Sequence, residues 1–231
     1  MQEALIERIR GLGHTRLLIR PLAAPEHFLT LQECHSIVEK SAVLLRGWDL
    51  PHIHKRGNDA NGARENVGEF AQHWTTWDYH VEFWRMYRST QFLHYKVYRE
   101  DLRENLPGKP DAPFLEVGWT IFFFTEVLEF LSRLVREGLY GQGCELTVTF
   151  SSTEARRLWI GDGRRMGFSH PRETHAPCLV VHRKLTSNEV LAGAKDISLD
   201  MLIEFFQHFG WEPGPEQIRI DQERLLNRQL G

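Results

Sequence analysis

The chain has 231 residues, 42% of them hydrophobic and 26% charged, with a formal net charge of −3. That length and balance fit one globular domain over residues 1–231 with a sizeable core, and exclude a disordered or strongly basic chain. The most apolar run, 117–124, is too short to span a bilayer, so no membrane partner is expected. Three widely spaced cysteines, Cys34, Cys144 and Cys178, suit a reducing compartment with free thiols, and the charged start MQEALIERIR has no signal-peptide core. The expected location is the cytoplasm.

Residues 4–12 read as a short helix with Leu5, Ile9 and Leu12 on one side, ended by Gly11 and Gly13. RLLIR, 16–20, reads as a short buried strand stopped by Pro21. Thr30 and Glu33 make a capping box for a helix to about Lys40, which places Cys34 on its inner stripe. The densest stretch follows: LLRGWDLPHIH, 44–54. Val43 to Leu45 read as a strand running into a rigid corner, with Gly47 free to take a conformation forbidden to other residues and Pro51 holding its own φ. Arg46, Trp48, Asp49, His52 and His54 make this a polar corner, for a ligand or for the fold itself. If the chain is extended there, His52 and His54 share a side. With Asp49 they could bind zinc or another divalent ion, Glu65 or Glu82 arriving as base. That is the basis of one alternative, a metal-dependent hydrolase. No HExxH or CxxC pattern accompanies it, and no metal or cofactor is assigned.

Residues 55–65, polar and glycine-rich, read as a surface loop, a lid or a plain connection. Residues 70–77 read as a strand. Residues 79–100 alternate in aromatic and β-branched residues, which predicts a β-hairpin turning near Ser89. Residues 105–113 hold three prolines and a glycine, a break that marks a soft subdivision. The strongest helix covers 116–136. Its apolar stripe takes more than half the circumference, and Thr125, Glu126, Glu129, Ser132, Arg133 and Arg136 make its wet side. Phe122 falls among those polar positions and is the candidate partner contact.

ELTVTFS, 145–151, alternates as a half-buried strand; 158–160 starts a second; CLVV, 178–181, reads as a central strand. Ser198 is the expected cap of the next helix, stopped by Gly210 and Pro213, and a peripheral helix covers 215–229. The fold class is therefore α+β: a mainly antiparallel sheet, the long amphipathic helix packed on it, and peripheral C-terminal helices. From 151 to 184, seven basic residues stand against three acidic ones. Arg156, Arg157, Arg164 and Arg165 are the candidates for an anionic or nucleic-acid contact, the basis of a second alternative, a nucleic-acid-binding protein. No nucleophile elbow, P-loop or deaminase motif is present, and no catalytic residue is assigned.

The phrases LLIRPL, LLRGWDLPHIH, EFWRMYRSTQFLHY, FTEVLEFLSRL and FFQHFGWEP, in this order, resemble a region that accompanies the Schlafen-type AlbA_2 domain in bacterial proteins labelled as DNA-binding. The AlbA_2 domain itself is not seen in this chain, and Ser89-Thr90 stands where the resemblance expects Ser-Gly. The resemblance implies a bacterial protein of regulation or defence against foreign DNA. Together these readings predict a non-catalytic sensing or interaction module, with a protein partner or a second copy of itself.

Overall fold

The computed structural model describes residues 3–55, 57–103, 108–163 and 165–229. In chain order its elements are α1 (Glu3–Arg10), β1 (His14–Pro21), α2 (Leu31–Ser41), β2 (Val43–Leu44), β3 (Asp49–Leu50), β4 (Gly62–Val67), β5 (Phe70–Trp77), β6 (His80–Tyr87) and β7 (Phe92–Val97). Then come α3 (Arg99–Leu102), β8 (Phe114–Glu116), α4 (Val117–Arg136), β9 (Cys144–Ser151), β10 (Arg157–Trp159), β11 (Cys178–Leu185), α5 (Ser187–Gln207) and α6 (Pro215–Leu226). A seven-stranded sheet, ordered β11-β9-β1-β7-β6-β5-β4, runs through the molecule, and every pairing in it is antiparallel. The fold is α+β. Among the described residues no helix is long and apolar enough to cross a membrane.

Alternation along the strands gives the sheet two unlike faces. On one, Leu17 and Ile19, Leu146, Val148 and Phe150, Leu179 and Val181, and Trp84, Met86 and Phe92 pack with α4 and α5 into the main core. On the other, α1 lays Leu5 and Ile9 over Ala63, Trp74, Val81, Phe83 and Val97. Fully burying a side chain of this size contributes about 1.5–3 kcal/mol, so α1 holds that face through few but effective contacts.

The hairpin expected near Ser89 is formed by β6 and β7, with Tyr87 N–H donating to the Gln91 carbonyl. Thr90 sits at φ 66°, a left-handed conformation unusual for a β-branched residue. Its carbonyl accepts the buried Tyr140 hydroxyl at 2.9 Å, a tertiary bond that holds the turn where a glycine would need no help.

Several local expectations are corrected. The strand at 43–45 shrinks to the two pairs Val43↔Leu50 and Leu44↔Asp49, closed by a turn in which Gly47 has φ +79°. The second half of the 55–65 loop belongs to an edge strand, β4, because Gly62 to Val67 find partners along β5. The Pro-rich break falls partly outside the described residues, which omit 104–107. CLVV is an edge and not a centre: among the described residues β11 pairs only with β9, and Val180 is 49% exposed while Leu179 and Val181 face the core. The strand at 157–159 leaves the main sheet and pairs in parallel with β8.

The wet side of α4 is largely dry. Thr125, Glu126 and Ser132 are buried because α2, α5, α6 and the 43–50 turn surround the helix opposite the sheet. Finally, α5 begins at Ser187, not Ser198. Thr186 and Glu189 form a full capping box there, and a bend at Gly193 (φ −137°, ψ 24°) hides the continuity of the helix from its apolar period. Ser198 lies inside it, buried, accepting from Gln222 Nε2 at 3.2 Å.

Candidate functional site

The polar corner is fastened from inside and outside. Asp49 Oδ1 lies 2.6 Å from His52 Nδ1, and its Oδ2 accepts the Ile53 N–H at 3.0 Å. The turn after Pro51 is thus closed by one carboxylate bonding its own chain three and four residues on. The main chain of His52 is then gripped by β6 on both sides: its N–H donates to Glu82 Oε1 at 2.5 Å, and its carbonyl accepts Trp84 Nε1–H at 2.9 Å. Trp48 stacks on the His52 ring at 4.5 Å and meets Trp77 edge-on at 5.4 Å.

Glu82 is the centre of this arrangement. It projects from β6 into the interior and is 1% exposed. His80 Nε2 stands 2.7 Å from its Oε2, Lys96 Nζ 3.4 Å from the same atom, and His94 Nε2 3.5 Å from Oε1. Burial pushes the carboxyl pKa up, but Lys96, His80 and His94 outweigh it and hold the group well below the usual carboxylate range. Burial pushes His80 down, against the pull of Glu82. The same His80 Nε2 lies 3.1 Å from the Trp48 indole N–H. One tautomer gives its proton to Glu82; the other accepts from Trp48, so the proton's position selects which neighbour His80 serves.

A second polar chain lies beside it. The His54 N–H donates to His73 Nδ1 at 3.2 Å; His73 Nε2 and His35 Nδ1 are 3.0 Å apart; His35 Nε2 is 2.8 Å from Asn66 Oδ1. Each bond needs one proton. With His73 Nδ1 accepting, its proton sits on Nε2 and is given to His35 Nδ1, and His35 gives its own to Asn66. Both rings are therefore neutral, with fixed tautomers. Burial, with lesser repulsion from His35 and Arg64, pushes His73 down to about 2, and burial lowers His35.

Asp49, His52 and His54 do not bring three ligand atoms together. Among the described residues His35, Glu39 and His73 do, within 4.8 Å. A metal there would need the nitrogen lone pair of His73 Nε2, which carries the proton as long as Nδ1 accepts from His54. Glu39 is meanwhile drawn to Arg64 at 2.6 Å. The donor set therefore does not fit a metal while the hydrogen-bond chain stands.

Neutral buried histidines make stability depend on pH. The folded-state pKa of His73 lies below the unfolded value of 6.5, so the unfolded chain binds the extra proton and stability falls as pH drops below 6.5. The loss is about 1.4 kcal/mol per pH unit for each such group. Chemical denaturation of His73→Gln between pH 7 and 5 is expected to show a slope shallower than wild type by about that amount. An unchanged slope would mean that His73 takes up its proton in the folded state.

The other expected site residues are scattered. Arg46 is buried at the base of the corner: Nε and Nη2 bind Glu126 at 2.9 and 2.6 Å, and the guanidinium lies 5.6 Å from the Phe122 ring. Phe122 is thus half-buried against the core and Arg46. His54, 3% exposed, packs its ring against Gly62 and borders a cleft of about 560 Å³ with Glu39, Leu44, Asp49, Lys55 and Arg64.

The arginines of the basic segment are engaged within the chain. Arg156 is 4% exposed and bidentate to Asp101; Arg157 binds Glu173 at 2.7 Å; Arg165 forks onto Asp221. Arg164 lies outside the described residues. The charge excess counted along the sequence is reduced by Asp101 from α3, Asp221 from α6 and Glu204 from α5. All three thiols are unpaired, and burial pushes Cys34 up to about 11 and Cys144 up to about 12, leaving them poor nucleophiles.

The sequence reading missed His80, His94 and Lys96 as site residues and named Glu82 only as a base for the hydrolase. Their signal was present in part: on alternate positions of β6 and β7 they are polar on the face that Trp84, Met86 and Phe92 give to the core. The Asp49–His52 pair leaves Nε2 as a base, yet the rings packed around it are Trp48, Trp77 and His80, walls and not reactants. Comparison with family models, with curated proteins and with solved structures finds no match to this chain.

Proposed function

We infer that the chain is a non-catalytic sensing or interaction module, and that the cleft beside the 49–54 corner is its recognition site. The observation that carries this reading is a preformed, mixed-charge cleft whose wall residues, Asp49 and His54, are tied to a buried polar network behind them. Fixed walls favour recognition, because little ordering is left to be done on binding. Asp49, Lys55 and the Glu39–Arg64 ion pair line the cleft with both signs of charge, which suits a small zwitterionic ligand or the end of a polar peptide from a partner. The free thiols support a reducing cytoplasm. The AlbA_2-associated resemblance supports a bacterial complex of DNA-related regulation or defence.

The test is a thermal-shift screen of small polar metabolites and short peptides, followed by mass spectrometry of every hit after incubation. A hit is expected to raise the Tm of the wild type, to lose most of that effect in Arg64→Ala, and to be recovered chemically unchanged. Conversion of the ligand would overturn the reading and give the Asp49–His52 pair a catalytic role. Hits equally effective on Arg64→Ala would place recognition elsewhere.

A further inference from the structure

On another side of Arg46 a smaller cavity, about 60 Å³, opens between the end of β7 and the first turns of α4. Thr15, Arg46, Lys96, Arg99, Trp119 and Phe123 stand in its wall. Arg46 and Arg99 each place the guanidinium carbon 4.1 Å from the centre of the Trp119 ring, and Trp119 remains 37% exposed at the mouth. Three cations and one acid, Glu100, thus share a wall whose apolar part is largely aromatic.

Their donors are incompletely used. Arg46 spends Nε and Nη2 on Glu126, and its Nη1 is buried without a hydrogen-bond partner among the described residues, in a side chain only 8% exposed. Arg99 Nε is likewise buried without a hydrogen-bond partner among the described residues, while Glu100 and Glu116 act on the charge of the group. The nearby acids are engaged elsewhere. Glu126 holds Arg46, Glu82 lies nearest Lys96 at 3.4 Å, and Glu100 accepts the Glu116 N–H while burial pushes its pKa up. Buried donors left unmade are costly, so an acceptor arriving here is rewarded more than at an exposed arginine.

We propose that Arg46, Lys96 and Arg99 form a binding site for a small organic carboxylate. Its oxygens take Arg46 Nη1 and Arg99 Nε, and its short apolar body lies on Trp119 and Phe123. The volume accommodates about four water-sized probes, enough for the carboxylate head with the apolar body left at the open mouth beside Trp119. An aromatic-walled cavity of this size favours a monoanion with an apolar body over a strongly hydrated phosphate dianion. The site is distinct from the cleft beside Asp49 and does not rest on the function inferred for it.

Benzoate and inorganic phosphate are the probes, titrated by calorimetry and by tryptophan fluorescence on the full chain. Benzoate is expected to bind saturably, with affinity reduced about tenfold or more in Arg99→Gln, the loss of one charged hydrogen bond. Trp119→Phe, at a partly exposed position, is expected to keep the fold and lose the fluorescence response. It decides the matter if Arg99→Gln fails to fold. Arg64→Ala, in the other cleft, is expected to leave benzoate binding unchanged. No saturable benzoate binding, equal affinity in Arg99→Gln, an unaltered response in Trp119→Phe, or binding of phosphate without benzoate would each overturn the proposal.

Discussion

Replacing Glu82 with Gln is expected to lower the unfolding free energy by about 3 kcal/mol at pH 7, the low end for breaking a buried ionic pair. The shape of the side chain is kept and one amide can still accept the His52 N–H. What is lost is the charge that Lys96, His80 and His94 surround. The effect sits at the low end because the Lys96 side chain is 22% exposed and its ammonium can turn to water once Glu82 is neutral. The pH dependence carries the proof of cause. The folded-state pKa of Glu82 is depressed, so its contribution is complete above the ordinary value of 4.5 and is lost as pH falls through the folded value. Denaturation of wild type and Glu82→Gln should therefore differ by a constant amount from pH 8 to pH 7, the gap widening below 6.5 as His80 loses the pull of Glu82 and closing only in stronger acid. A difference under about 1 kcal/mol at pH 7 would mean that the carboxylate is no better placed than a neutral amide.

Asp101→Ala should cost more, about 4 kcal/mol, which for a chain of this size lowers Tm by roughly 10 °C. Asp101 takes both arms of Arg156, at 2.8 and 2.6 Å, and the Gly13 N–H at 2.8 Å. Arg156 also donates to the carbonyls of Ser152 and Phe114 and lies 4.6 Å from the Tyr98 ring. It cannot leave: its side chain is 5% exposed. Without Asp101 a buried guanidinium stays behind with carbonyl partners alone. Gly13 is locked into the same contact, since a Cβ there would fall 2.3 Å from Arg156 Nη2 and from Tyr98. Calorimetry of Asp101→Ala is the check. A Tm within a degree or two of wild type would show that Arg156 finds water or another acid, and would restore it as a surface cation.

These two sites also show where the sequence was readable. The strands at 80–87, 92–97 and 144–151 show in period-two alternation, those at 14–21 and 70–77 in a short apolar run and an aromatic-rich one, and the 30–33 capping box marks a real helix start. Position in the sheet was not readable. CLVV looks central because four apolar residues run together, but pairing decides, and β11 has one neighbour among the described residues. The dry flank of α4 was hidden for a related reason. Thr125, Glu126 and Ser132 look like a solvated face until α2, α5, α6 and the 43–50 turn cover them, and Glu126 is polar because it meets Arg46.

The polar corner was half legible. Gly47, Trp48, Asp49 and His52 stand out locally, and the Asp49–His52 bond is a contact within one turn. Their anchor is thirty residues away on a strand whose inner face is polar, and no local pattern tells that Glu82 points inward. Charge counted along a chain ignores the acids that folding brings beside it. Arg156 meets Asp101 and Arg165 meets Asp221 only in the folded sheet-and-helix arrangement.

Glu82 fixes the corner to the sheet through the His52 N–H, so that the corner is not a loop that orders on demand. Amide hydrogen exchange at His52, Ile53 and His54, compared between wild type and Glu82→Gln, tests this most directly. Each of these N–H groups has a named acceptor: Glu82, Asp49 and His73. In the wild type they should exchange only with the large openings that release β6, as slowly as amides inside the sheet. In Glu82→Gln the three should speed up together while the β1 and β9 amides keep their order of protection. Rapid exchange at all three in the wild type would contradict the account and make the corner an ordinary surface loop.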